Sequence, residues 1–333
     1  MVQFQISAPD TLSLFGEHAK KGLIASINLR TTLTFNELPI SLDNIIINIP
    51  QIYLFYNVSL QEFLKLYDSC IENMELLQEK VLQYTSNLYI PTNHRVIMQI
   101  FYYLLVYITY KEQIKIKSFN ISSFTKFMDK EFACPAFIVC FAACLLHWSH
   151  VQKEYQFEEI HVIPIVSVSN VTILLVDSKQ TQNLKTQEQQ RTELMNMFPD
   201  IANSILNNID TVTNMACNTL QKFDKICEND ELSTETRNNF LIQQHKELDT
   251  YICKNRKLLQ LLDISHYNLD KIYEIAQRHG FSAKYTNIGN NKLYAYIWCP
   301  LLYTNASKLV ELLWDELKKY DFDIMKIYLD VAE

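Results

Sequence analysis

The chain has 333 residues, 48% of them hydrophobic, and a formal net charge of -7 from 30 Lys+Arg against 37 Asp+Glu. That much apolar material builds at least one large core, and at this length two domains, so the composition excludes disorder. An acidic chain with only six arginines lacks the footprint for gripping a phosphate backbone, and nucleic acid is not an expected partner.

Residues 2–8 and 25–37 alternate apolar and polar in the manner of strands, and shorter strand signals lie at 44–48 and 52–56. From Ser59, a helix cap, the period changes: Leu60, Phe63, Leu64, Tyr67, Ile71, Met74 and Leu77 recur at three and four residues. Pro91-Thr92 opens a second helix running to about Tyr110; its aromatic run Phe101-Tyr102-Tyr103 with Tyr107 and Tyr110 covers too many angles for one face and reads as core. A strand at 113–119, a helix at 134–149 and paired strands at 159–167 and 171–177 follow. Long amphipathic helices near 185–228, 235–262 and 266–279 come next, with the polar runs Gln187–Arg191 and Gln243-Gln244-His245-Lys246 expected on solvated faces. Strands at 282–287 and 292–299, a helix at 305–320 and a strand at 323–330 close the chain as a split βαβ unit. The domain boundary falls near 165–180.

Eight cysteines without a CxxC pair, and an opening Met1-Val2-Gln3-Phe4 without a basic then apolar leader, point to a reduced, cytoplasmic protein. The apolar stretch Val96–Tyr110 falls short of the roughly 20 residues a membrane span needs, so no membrane is expected. Cys140, Cys144 and His147 share one helical face, with His150 beyond, but buried cysteines beside a satisfied histidine are the more ordinary reading and no metal is assigned. Glu17-His18 could form an acid/base pair, yet neighbours on a strand point to opposite faces. The most restrictive count is of glycine: four, at 16, 22, 280 and 289, where an average chain carries about two dozen, with none between 23 and 279.

Three motifs carry a resemblance. Ser7-Ala8-Pro9-Asp10-Thr11-Leu12-Ser13-Leu14-Phe15-Gly16-Glu17-His18-Ala19, Phe137–Leu146 and Ile173-Leu174-Leu175-Val176-Asp177-Ser178-Lys179 are similar to the opening, the helix behind the phosphate loop, and the second-half strand of mevalonate kinases in the GHMP kinase superfamily. The likeness spans nearly the whole chain. It implies an α+β, two-domain GHMP kinase fold: residues 1–170 resembling the ribosomal protein S5 domain 2-like half and residues 171–333 the ferredoxin-like half. It also implies transfer of the γ-phosphoryl of ATP to mevalonate, which relies on positioned phosphate donors, a metal and a group that orients the attacking hydroxyl.

Set against the family pattern, the chemistry is expected to be missing. The family's glycine- and serine-rich phosphate loop falls on Lys126–Cys134, where Asp129, Lys130, Glu131, Phe132, Ala133 and Cys134 put side chains into space that phosphate needs and carboxylates beside its charge. Only Val151–Thr172 fills the interval in which the family carries its catalytic aspartate. The amino-terminal Gly-Lys reads Asp10-Thr11, and the glycine-rich loop after Lys-Leu-Thr becomes Lys284-Tyr285-Thr286-Asn287-Ile288-Gly289-Asn290-Asn291-Lys292. Glu17, His18, Ser178 and Lys179 match segments bounding the family's substrate pocket. The expectation is therefore a degenerate, catalytically inactive member with no cofactor of its own, acting through a protein partner as a homodimer or as the companion of a true GHMP kinase. The alternative is a divergent mevalonate kinase using ATP and Mg.

Overall fold

The computed structural model describes residues 2–17, 21–39, 41–125, 135–153, 171–181, 192–228, 233–262, 266–287, 292–300 and 305–329. The chain divides into two compact units, residues 1–10 with 29–161, and residues 11–28 with 162–333. The expected boundary at 170/171 sits at the edge of the segment 154–170, which lies outside the described residues, as do the expected strand at 159–167 and the run Gln187–Arg191.

In the first unit, alternation produces strands with one buried face. β1 (Gln3–Phe15), β2 (Leu23–Glu37), β3 (Asn44–Ile49), β4 (Leu54–Ser59) and β5 (Phe119–Thr125) form a sheet of order β1-β2-β5-β3-β4, in which residues 11–15 of β1 and 23–28 of β2 belong to the second unit. β5 runs antiparallel to β2, with Phe35 opposite Ile121, and parallel to β3, with Ile47 opposite Ile121. Helices α1 (Leu60–Ile71), α2 (Leu77–Ser86), α3 (Thr92–Glu112) and α4 (Pro135–Lys153) supply the other half of its core. Phe35 stacks on Phe119 at 5.2 Å and tilts against Trp148 at 5.0 Å, while Phe101 stacks on Phe141 at 4.8 Å; such rings dominate core energetics. α4 is the one helix among the described residues long and apolar enough to cross a membrane by composition, but Phe137, Cys140, Phe141, Cys144, Leu145 and Trp148 turn into this core.

Three local expectations are corrected here. The Ser59 cap holds, its hydroxyl accepting from Gln61 N at 3.2 Å, but the helix stops at Ile71: the Asn73 side chain caps a 3-10 turn, Met74–Leu76, before α2 begins. The strand placed at 113–119 lies at Phe119–Thr125, because Gln113 adopts left-handed φ 52° to end α3 and the chain pairs only from Phe119. The aromatic run is split. Phe101 and Tyr102 are buried, whereas Tyr103, Tyr107 and Tyr110 are exposed, since a 100° advance per residue separates neighbours on a helix.

The second unit holds β6 (Val171–Thr181), β7 (Ser282–Asn287), β8 (Lys292–Pro300) and β9 (Asp323–Tyr328) in the antiparallel order β7-β8-β6-β9. Helices α7 (Tyr267–Arg278) and α8 (Ala306–Lys319) pack with Leu174, Val176, Ala283, Tyr285, Ala295 and Ile297 in one core. The long pair α5 (Pro199–Glu228) and α6 (Thr234–Leu261) pack on each other. Gln244 and His245, expected in solvent, are buried because they fall on the α6 stripe Leu241, Leu248, Ile252, Asn255 and Leu259.

Candidate functional site

The β7–β8 hairpin sorts its side chains by parity. Ala283 and Tyr285 enter the α7/α8 core, while Ser282, Lys284 and Thr286 face the other side beside Trp298, Tyr296 and Tyr294, their register partners on β8. Against that face lie the end of β1 and the start of the turn after it, residues 13–17. Lys284 Nζ and Tyr296 Oη both donate to the carbonyl of Leu14, at 3.0 and 2.9 Å, and Thr286 Oγ1 donates to the carbonyl of Ser13 at 3.0 Å. Lys284 Nζ also pairs with Glu17 Oε1 and lies 5.6 and 5.5 Å from the ring centroids of Phe15 and Tyr296.

Lys284 is fully buried and the Glu17 side chain nearly so. Burial pulls the ammonium below its ordinary range and Glu17 works against that shift, while the Tyr296 phenol is pushed well up, by burial first and then by the Glu17 charge. A cation held between two rings, a carboxylate and a carbonyl is compensated where it stands. The turn is closed by Gly16 at φ +84°, where an added Cβ would come within 1.9 Å of Lys21 O. Lys21 N donates in turn to Asp210 Oδ1 of α5 at 3.1 Å.

A second polar layer lies along α6. Trp298 Nε1 donates to His245 Nδ1 at 3.2 Å, and the Ser282 hydroxyl lies 3.7 Å from Cys253 Sγ and donates to Asp249 O at 3.5 Å. Burial pushes the Asp249 carboxyl up to about 6, Ser282 opposing, and pushes His245 down to about 4. The two act oppositely on stability. Asp249 holds its proton more tightly when folded, so its contribution is present below about pH 4 and lost as pH rises through about 6; His245 resists protonation when folded, so stability is lost as pH falls from about 6.5 toward 4. Asp249→Asn is expected to raise stability at pH 7 by about 2 kcal/mol and to leave the His245 slope alone. Urea midpoints measured from pH 4 to 7 then climb more steeply for the variant than for the wild type; parallel curves would contradict this.

The residues singled out in the sequence go to separate places. Glu17 is committed to Lys284. Ser178 is buried, its hydroxyl donating to Leu293 O at 2.6 Å, while its carbonyl accepts from Asn268 Nδ2 at 2.7 Å. Lys179, at left-handed φ 57°, faces outward to Asp321 and Asp323 at 3.0 and 3.7 Å, and the hydrogen bond to Asp321 is the main cause raising its pKa. His18 and the run from Asp129 through Lys130, Glu131, Phe132 and Ala133 to Cys134 lie outside the described residues. In the first unit Cys140 donates to Thr31 O at 3.3 Å, burial lifting its thiol to about 11, and His147 stands edge-on to Phe4 at 4.5 Å. Among the described residues no group of three or more His, Cys, Asp and Glu could hold a metal. Lys284 entered the sequence reading only as the first residue of the run Lys284–Lys292; the signal of its buried charge was a lone lysine in the strand Ser282–Asn287, flanked by small and aromatic residues.

Both sheets and their helices match known structures along their length. The mevalonate kinase of Methanococcus jannaschii superposes with TM-score 0.64 at 15% identity, covering 99% of each chain. The chain has the GHMP kinase fold. Phosphomevalonate kinase of Streptococcus pneumoniae, solved with phosphomevalonate and AMPPNP, shares this GHMP kinase fold with TM-score 0.58 at 10% identity, over 98% of this chain and 99% of that one. By sequence, the mevalonate kinase of Schizosaccharomyces pombe is 28% identical over 119 residues, 36% of this chain, and the matched stretch spans about a quarter (26%) of that protein's length. No family model matches the chain.

Proposed function

We propose that this GHMP-fold chain is a mevalonate-kinase-like protein that has given up phosphoryl transfer and acts in the cytoplasm by binding another protein. The observation that carries the reading is the absence of glycine from residue 23 to residue 279. Kinases of this resemblance bring bare backbone N–H groups against the triphosphate, and glycine is what lets the backbone come so close. Lys126–Cys134, with two carboxylates and no glycine or serine, cannot supply that surface by the family's route. The partners of Ser178 and Lys179 support the same reading, since each of these side chains is already paired within the chain; Glu17 gives only Oε1 to Lys284, and its buried Oε2 has no partner among the described residues.

The second reading is a divergent mevalonate kinase that uses Mg-ATP. It is favoured by the names of the matched proteins, which are kinases in yeast, archaeon and bacterium alike, and by the elaborate anchoring of the Gly16-Glu17 turn. Isothermal titration of the full chain with Mg-ATP separates the two. The first reading expects no heat of binding up to millimolar nucleotide; saturable binding at micromolar concentration would favour the second.

A further inference from the structure

The sheet of the first unit ends on β4, whose outer side pairs with no other strand among the described residues. The register shows which backbone groups that leaves open. Leu60 N donates to Asp43 O at 3.1 Å, which makes 43 and 60 a hydrogen-bonded pair; counting by twos along the register gives the same role to Val58, Tyr56 and Leu54 opposite β3. Phe55 and Asn57 therefore turn both N–H and C=O away from the sheet. Phe55 is 68% exposed, and the strand Leu54–Ser59 carries no charge, proline or bulge, the devices that ordinarily keep an edge from pairing.

Tyr56 of the same strand lines a cavity of about 830 Å³ whose other walls are α1, α2 and the residues just after α2. Tyr84 and Tyr89 add two more rings to that lining, and the Tyr84 ring is held edge-on to buried Tyr102 at 5.1 Å. Glu62 lines it as well. Burial raises the Tyr56 and Tyr84 phenols above their ordinary range, and the nearby Glu62 charge adds to the shift. Glu62 has no ion pair among the described residues. Of the two lysines bordering the cavity, Lys80 is bonded through Nζ to the Ser69 carbonyl, which leaves Lys65. From 60 to 87 the carboxylates Glu62, Asp68, Glu72, Glu75 and Glu79 outnumber those two lysines, on a chain of net charge -7.

We propose that this edge and cavity are the docking site for an extended, basic segment of a partner protein, which adds a strand antiparallel to β4 and places an arginine or lysine in the cavity. The register fixes which side chain enters. An added strand takes its hydrogen bonds from Phe55 and Asn57, so its residue opposite Tyr56 falls at a non-hydrogen-bonded position. Cα atoms there come within about 4.5 Å, and the two side chains share the Tyr56 face. A cation in that place meets the Glu62 carboxylate and tyrosine rings, and is held by charge and by cation–π attraction together. An acidic side chain would meet the Glu62 charge and the surplus of carboxylates around it. The inference rests on the reading that the chain acts by binding another protein, and not on whether it transfers phosphate.

Selection of a phage-displayed library of random peptides of about twelve residues on the full chain is expected to enrich sequences with an arginine or lysine inside an alternating apolar run. A fluorescein-labelled enriched peptide is expected to bind with micromolar affinity by anisotropy, weakened at least tenfold by Glu62→Lys and by Asn57→Pro. Proline at 57 removes an outward N–H and no bond to β3, so the ladder within the sheet stands. Methylating the peptide's backbone nitrogens one at a time keeps the geometry testable should that variant fail to fold: binding to the wild-type chain is lost at alternate positions, because only every second N–H of an added strand faces β4. Enrichment of acidic peptides or of none, an affinity unmoved by both variants, or methylation losses without a period of two would overturn the proposal. A native protein that co-purifies equally with the wild-type and Asn57→Pro chains would overturn this site and leave the protein-binding reading standing; a chain that captures neither peptide nor protein would remove both.

Discussion

Glu17→Ala is expected to cost the second unit about 3–5 kcal/mol, the usual penalty for stranding a buried charge without its partner. Lys284 is fully buried, and Glu17 is its only carboxylate among the described residues. With the carboxylate gone, the ammonium keeps the Leu14 carbonyl and the faces of Phe15 and Tyr296, which do not replace a full counter-charge. The chain then either deprotonates Lys284 or opens the 13–17 turn. Replacing both partners, as Glu17→Gln with Lys284→Met, is expected to recover most of the loss, because two neutral side chains of similar length carry no desolvated charge. Urea unfolding of the single and double variants reads this directly. A Glu17→Ala chain within about 1 kcal/mol of wild type would show that the pair is idle.

Gly16→Ala is the second large effect. At φ +84° an L-residue with a Cβ pays roughly 1–2 kcal/mol for the left-handed backbone, and the new atom would lie 1.9 Å from Lys21 O and 2.7 Å from Gly22 Cα, both of them backbone. Backbone does not swing aside as the end of a flexible side chain does, so forced repacking adds about 1–3 kcal/mol. The expected fall in melting temperature is roughly 10 °C. Gly280→Ala is an internal comparison, because it shares a positive φ of +79° but meets nothing within 4 Å; it should lose only the backbone part. Equal losses at the two sites would remove the steric argument for Gly16.

Much of the fold was legible because local pattern and tertiary burial agree. Leu29, Leu33 and Phe35 alternate on β2, and the same parity places them in the structure's interior. β5 was misplaced for a physical reason: Ser122 and Ser123 break the apolar alternation, and the strand exists because β2 and β3 offer it ladders on both sides. The break at Asn73 escaped a periodicity that continues across it, since helical spacing cannot see an asparagine in mid-run whose side chain accepts from Glu75 N to cap a new turn.

The site was less legible. Lys284 and Glu17 are 267 residues apart in sequence, and nothing local to either announces the other. Ser178 and Lys179 entered together through resemblance, yet successive residues of a strand face opposite ways, and the left-handed backbone at Lys179 turns it out toward Asp321. What the sequence did expose plainly was a deficit. Missing glycines leave a trace that needs no contact map, because no other residue gives phosphate the same approach to the backbone.

The most direct test of the proposed loss of phosphoryl transfer is a turnover assay of the purified full chain with Mg-ATP and mevalonate, following ADP release and phosphorylated product together. Neither is expected above a protein-free control at any substrate concentration. Saturable, mevalonate-dependent release of ADP matched by product would contradict it.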